Sequence, residues 1–263
     1  MITILFSHER SGSHLLAELL ASFGGIVSIE EVCNANHVPA ARGESFHGFR
    51  RDWWLSHPDT ATDPSFEKSV KLGEAFFAHL STLWEKNNLV VDIKYGHLHN
   101  FEGYWAPLFR RPLLFFLCDT IPMNIIHLYR RNVVEAVVSA HVAEIRQVWH
   151  SYGSEAAEAM GQRYTMDVPT VVEDALLLRE QTRWIREKWL RQEGSFNVEY
   201  EQLVSALQDE PSWLDDLASF VGGVRTGRFT PSIRKLGRPL RDSIENFEAL
   251  TKACQEAGLG EFI

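Results

Sequence analysis

Apolar residues crowd the first positions of the chain, MITILFS, and then return at Leu15, Leu16, Leu19, Leu20 and Phe23 with the spacing of one helix face. The first pattern predicts a buried strand, the second an amphipathic helix, and the small residues between them a tight turn. Strand character reappears in LVVDI at 89–93 and in IIHLY at 125–129. After the second of these, a helix is expected over about 132–147, with Val134, Val137, Val138, His141, Val142 and Ile145 on one side. A long helix over about 170–193 carries Trp184 and Trp189, a short strand follows at 196–198, and another helix starts near 200.

Strands alternating with helices predict an α/β fold: a three-layer, P-loop-like arrangement with a mostly parallel central sheet and helices on both faces. Sheets of this kind bind ligands beyond the carboxyl ends of their strands. One domain is expected over 1–263, with two irregular segments. The first, about 33–66, mixes Asn, His, Pro, Gly and Arg with Trp53 and Trp54 and shows no clear period. The second, about 101–123, is aromatic and interrupted by Pro107, Pro112 and Pro122, which prevents one continuous helix.

Composition narrows the function. The chain has 263 residues, 45% of them hydrophobic and 23% charged, as in an ordinary globular protein. Its 26 Lys and Arg against 35 Asp and Glu leave a formal charge of −9, the wrong balance for a nonspecific nucleic-acid or anionic-membrane binder. Cys33, Cys118 and Cys254 are odd in number and form no CxxC pair, so neither a disulfide framework nor a zinc site is expected. No apolar run reaches the length of about 18 residues that a membrane helix needs. The N-terminus meets a charged pair too early for a signal peptide. A cytoplasmic protein without membrane insertion is expected.

The most informative stretch is F-S-H-E-R-S-G-S-H-L-L at 6–16. Where a strand turns into a helix, the helix presents unpaired amides and the positive end of its dipole, a ready anion site. Ser11 and Ser13 offer hydroxyls there, Gly12 eases the turn, and Arg10 supplies a planar permanent charge. The competing role for either serine is a simple helix cap. The segment has neither the first glycine nor the lysine of a Walker A loop, and it lacks GxGxxG, so an ordinary ATP or NAD site is disfavoured. A second pair follows the strand at 125–129: Arg131, and Ser139 eight residues later. Eight helical residues rise about 12 Å, so one phosphate meets both only if Arg131 reaches back along the helix. Arg131 could instead pair with Glu135.

Together these segments resemble the nucleotide motifs of sulfotransferases that use 3′-phosphoadenosine 5′-phosphosulfate (PAPS). Arg10 to His14 is similar to the 5′-phosphosulfate loop. Arg131, Asn132 and Ser139 are similar to the 3′-phosphate motif. RSGSHLL most resembles the bacterial trehalose 2-sulfotransferase-like branch, in which the helix is followed by an acidic pair; Glu30 and Glu31 stand at that spacing, Glu31 lying 21 residues after Arg10. The VEYEQL segment resembles one whose tyrosine, here Tyr200, lies near adenine. Arg234 and Lys235 sit in a late basic stretch similar to one that closes over the 3′-phosphate. The resemblance covers the nucleotide motifs and implies that the irregular segments at about 33–66 and 101–123, which it does not cover, lie on the acceptor side.

It implies transfer of a sulfuryl group from PAPS to a hydroxyl or amine of a small acceptor, such as a carbohydrate or secondary metabolite, leaving PAP. The resemblance also implies in-line attack and no need for a metal. Arg10 would stabilise the leaving phosphate and Glu31 would be the base, with Glu30 competing. His97 is a second candidate base, since animal cytosolic sulfotransferases place a histidine two residues after a lysine at a comparable strand end; here Lys94 and His97 are three apart. Trp53, Trp54, Tyr104 and Trp105 could stack on an acceptor ring, and Arg50, Arg51, Arg110 and Arg111 could attract an acidic one. Two other readings stay open. An atypical P-loop kinase would need a carboxylate at a strand end, for which Asp92 is the candidate. A noncatalytic nucleotide-binding module would keep the phosphate loop without the chemistry. A homodimer is open, because nothing in the sequence marks an interface.

Overall fold

The computed structural model describes residues 1–34, 43–62, 65–85, 87–102, 111–147, 162–190, 193–232 and 239–263. The opening apolar run is strand β1 (Ile2–Ser7), buried at every position, and α1 (Ser13–Ala21) follows it. The other strands are β2 (Ile26–Ile29), β3 (Asn88–Lys94), β4 (Met123–Tyr129) and β5 (Ser195–Glu199). They form one five-stranded sheet in the order β2-β3-β1-β4-β5, and every pairing is parallel. The chain leaves β1 towards β2 on one side, then crosses from β3 over β1 to β4 and β5 on the other. In open parallel sheets ligands bind at the carboxyl ends of the strands where the order reverses in this way.

Alternation along the strands sends side chains to both faces. Leu5, Val90, Ile126 and Val198 pack on one face with Leu16 and Leu20 of α1. Phe6 points to the other face and meets the edge of Phe115 in α5 (Leu113–Thr120), their ring centres 5.3 Å apart.

The segment at 33–66, expected to be irregular, contains two helices, α2 (Phe46–Ser56) and α3 (Pro58–Thr62). The Ser45 hydroxyl accepts from the Gly48 amide and caps α2. Phe46 and Phe49 pack on Phe76 of α4 (Phe66–Leu83), with ring centres 5.0 and 5.6 Å apart. A narrow aromatic stripe thus carries α2, and the polar and glycine residues around it hide the period. The 101–123 segment holds α5 within its described part. Tyr104, Trp105 and Arg110 lie outside the described residues.

The chain divides into two compact units. The first comprises Met1–His8, Gly12–Tyr129 and Trp189–Thr230 and contains the whole sheet. It also holds α8 (Tyr200–Asp209) and α9 (Trp213–Phe220). The second comprises Glu9–Ser11, Arg130–Lys188 and Pro231–Ile263. In it α6 (Val133–Arg146) packs on α7 (Val168–Trp184). The second unit also contains α10 (Leu240–Ser243) and α11 (Phe247–Glu256), and α11 packs on α7. The long helix expected to 193 ends its α-helical part at Trp184 and continues as a π turn over Ile185–Trp189. Among the described residues, no helix is long and apolar enough to cross a membrane, and the three cysteines are free and buried.

Candidate functional site

The turn between β1 and α1 departs from ordinary backbone at two positions. Arg10 has φ 62° and Gly12 has φ 86°, both left-handed. Gly12 is the N-cap of α1 and supplies no side-chain cap, so neither neighbouring serine takes the capping role. Gly12 has a second reason to be glycine: a Cβ there would lie 2.5 Å from Cδ2 of Tyr200, the residue that opens α8.

Directly below the start of α1, in the first unit, sits a buried charge cluster. Lys94 ends β3 opposite Ser7 of β1. Its Nζ donates to Asp92 Oδ2 at 2.5 Å, to Ser13 Oγ at 2.6 Å and to Ser7 Oγ at 3.5 Å. Glu31 Oε1 lies 3.8 Å from the same nitrogen. The Lys94 and Asp92 side chains are only 4% and 2% exposed. An ammonium has three protons and no lone pair, so the three oxygens it bonds, of Asp92, Ser13 and Ser7, must accept. Ser13 therefore keeps its own proton for another acceptor. Burial pushes the Asp92 carboxyl above the usual range while Lys94 pulls against it.

Glu31 sits in a left-handed conformation, φ 35°. Burial works to raise its carboxyl, but the Asn34 amide donating at 2.6 Å and the charges of Lys94, His97 and His14 outweigh it and hold Glu31 below the ordinary carboxylate range. Such a group is ionised at neutral pH, the state a base needs. Glu30 is turned to a different partner, His14 Nδ1 at 3.4 Å. That hydrogen bond, working against burial, raises the His14 imidazole above its usual value. Of the acidic pair, Glu31 is thus the one in the cluster.

In the second unit Arg10 donates from Nε to Ser139 Oγ at 3.1 Å. Arg130 donates to the Arg10 carbonyl at 3.4 Å and pairs with Glu135 at 2.6 Å. Glu135, weighed as a partner for Arg131, pairs with Arg130. Arg131 is exposed just before α6, and Asn132 caps that helix by accepting from the Glu135 amide at 2.9 Å. Ser139, expected to share a phosphate with Arg131, is engaged by Arg10 from the first motif.

His97 lies in the 3-10 turn Tyr95–Asn100 and accepts from the Lys94 amide at 3.4 Å through Nδ1. Ser11 is buried. Arg234 and Lys235 lie outside the described residues. Sequence reasoning used Lys94 only as a ruler for His97 and missed it as a site residue. The available signal was a lysine closing an otherwise apolar strand, two residues after an aspartate, where both must share one face. Among the described residues, no group of three His, Cys, Asp or Glu is placed to hold a metal ion.

No family model and no curated protein matches the chain. Three similar solved structures are sulfotransferases. The Sulfotransferase Domain from the Curacin Biosynthetic Pathway is 15% identical with a TM-score of 0.42, over 91% of this chain and 78% of that one. The Sulfotransferase from Alicyclobacillus acidocaldarius is 13% identical with a TM-score of 0.46, over 98% and 95%. The Sulfotransferase Domain from the Synechococcus PCC 7002 Olefin Synthase is 16% identical with a TM-score of 0.40, over 94% and 82%. At this degree of overlap and identity the likeness says nothing of what this chain binds or transfers, and the functional reading rests on its own residues.

Proposed function

We propose that the chain is a PAPS-dependent sulfotransferase acting on a hydroxyl or amine of a small acceptor. A carbohydrate or related metabolite is the acceptor class favoured by the trehalose 2-sulfotransferase-like branch that the first loop resembles. The observation that carries the reading is the Ser13 hydroxyl at the start of α1, which accepts from buried Lys94 at 2.6 Å and so has its proton to give. A donor hydroxyl beside an ammonium and a helix N-terminus suits an anionic oxygen.

In this reading Ser13 and the α1 amides hold the 5′-phosphosulfate, and Arg10, three residues earlier on the same loop, carries charge for the departing phosphate. Glu31 takes the proton from the acceptor hydroxyl or amine as that group attacks sulfur in line, and the sulfur–oxygen bond to the phosphate breaks. Tyr200 borders Gly12, which supports its place near the nucleotide. Arg131, Ser139, Arg234 and Lys235 are assigned to the 3′-phosphate on the sequence motif. The whole chain acts as one sulfotransferase domain.

Calorimetric titration with PAP and with ADP tests the reading, because the two differ at the 3′-phosphate. PAP should bind at least about tenfold tighter, a difference of about 1.4 kcal/mol, and Arg131→Ala should remove the preference. Equal binding of PAP and ADP defeats the 3′-phosphate assignment and moves the kinase reading ahead. PAP binding without transfer to any acceptor favours the noncatalytic module.

A further inference from the structure

Asp92 has no part in the chemistry proposed so far, yet it is among the most buried charged groups in the chain, at 2% exposure. Its Oδ2 meets Lys94 at 2.5 Å, and its Oδ1 is buried with no hydrogen-bond partner among the described residues. A carboxylate so placed has one strong partner and owes its ionised state to it. Buried ion pairs are weak evidence for stability, since replacing both partners with apolar groups is often neutral or favourable. The pair invites a positional explanation.

Strand geometry supplies one. Asp92 and Lys94 are two apart on β3 and so share a face, and Lys94 stands directly opposite Ser7 in the parallel register with β1. Asp92 fixes one corner of the ammonium, which leaves its remaining protons for Ser7 and Ser13. A competing anchor is close: Glu31 Oε1 lies 3.8 Å away, and its other oxygen is held by Asn34. Without Asp92, the ammonium turns from Ser13 to Glu31. Ser13 then loses the donor that directs its proton outward, and Glu31 gains a closer counter-charge that weakens it as a base. Ser13 is itself only 5% exposed and makes no other hydrogen bond among the described residues, so its proton is committed to whatever acceptor enters the loop.

We propose that Asp92 is a positioning residue of the anion loop: acting through the Lys94 ammonium, it commits the Ser13 hydroxyl proton to an oxygen of a bound phosphate or sulfate group. The proposal rests on the sulfotransferase reading for the identity of that group, and its test separates the two. In protein with isotope-labelled lysine, a threefold-bonded buried ammonium exchanges its protons slowly. A sharp Lys94 ammonium signal is expected in the natural protein, identified by its loss in Lys94→Met, and it should broaden in Asp92→Asn.

Titration with PAP and with inorganic sulfate then completes a double-mutant cycle. Asp92→Asn should weaken PAP by about tenfold or more. Lys94→Met should weaken it as much, and the double variant, in which the buried charges are both gone, should be no weaker than Lys94→Met alone. The double variant also guards against loss of the fold, because it leaves no uncompensated buried charge. Natural affinity for both ligands in Asp92→Asn, or losses that simply add in the double variant, overturns the positioning role and leaves the sulfotransferase reading intact. Failure of the natural protein to bind either ligand, with the ammonium signal sharp, overturns that reading and this inference with it.

Discussion

Gly12 permits a quantitative check on the loop. Replacing it with alanine perturbs two things at once. The backbone is at φ 86°, and an added Cβ would lie 2.5 and 2.7 Å from Cδ2 and Cε2 of Tyr200. An L residue held in the left-handed region costs roughly 1–2 kcal/mol. Forcing a methyl group against a packed ring costs roughly 1–3 kcal/mol more. The sum is about 2–5 kcal/mol, and at roughly 2–4 °C per kcal/mol for a chain of this size it lowers the melting temperature by on the order of 10 °C. Thermal unfolding of Gly12→Ala, Tyr200→Ala and the double variant separates the parts. Removing the ring relieves the crowding but not the backbone strain, so Gly12→Ala should cost about 1–3 kcal/mol less in the Tyr200→Ala background. An equal cost in both backgrounds refutes the contact between Tyr200 and the loop, and with it the structural support for placing Tyr200 beside the nucleotide.

Two further predictions concern the reacting groups. Arg10→Ala should lower turnover with PAPS by on the order of a hundredfold or more, the loss expected when one charge-stabilising donor is removed; single-turnover assays with labelled PAPS measure it, and a variant near natural turnover removes Arg10 from the leaving side. Glu31 is held below the ordinary carboxylate range, so it adds stability above its unfolded-state value that disappears as pH falls through the lower folded-state value. Melting curves of the natural protein and Glu31→Gln should therefore differ at neutral pH and converge in acid; a difference that stays constant down to the acid limit contradicts the assignment.

Much of the fold is written in the period of the apolar residues, and the misses have definite causes. β1, β3, β4 and β5 are short, β-rich or apolar runs, and α1 and the first half of α6 bury a regular stripe, so alternation and helical spacing reveal them, although Ile145, expected on the same side of α6, is exposed. In α2 the inward stripe is reduced to buried Phe46 and half-buried Phe49 and Trp53, which pack within a cluster of rings. The polar positions between them are occupied by His47, Gly48, Arg50, Arg51 and Asp52, and that mixture reads as a loop. Helical propensity is weak there, and the contact with α4 decides the outcome, a tertiary effect that no local window contains.

The candidate site was legible only where its residues are neighbours in sequence. Local motifs mark the first loop, because a strand, a glycine and a helix start are neighbours in sequence, and they mark Ser139 on its helix. They cannot tell which arginine Ser139 serves. The motif sets Arg131 and Ser139 about 12 Å of helix rise apart as two contacts of one phosphate, and the structure adds a third participant that no local spacing shows, Arg10, 129 residues distant in sequence and donating to the Ser139 hydroxyl. Lys94 shows the same limit more sharply: a buried ammonium is tolerable only where acceptors surround it, and its acceptors come from β1, β3 and α1. The sheet order sets β3 beside β1 and in register, Ser7 against Lys94. A cluster that depends on strand register is invisible until the strands are paired, which is why the residue that best explains the donor character of Ser13 was the one sequence reasoning passed over.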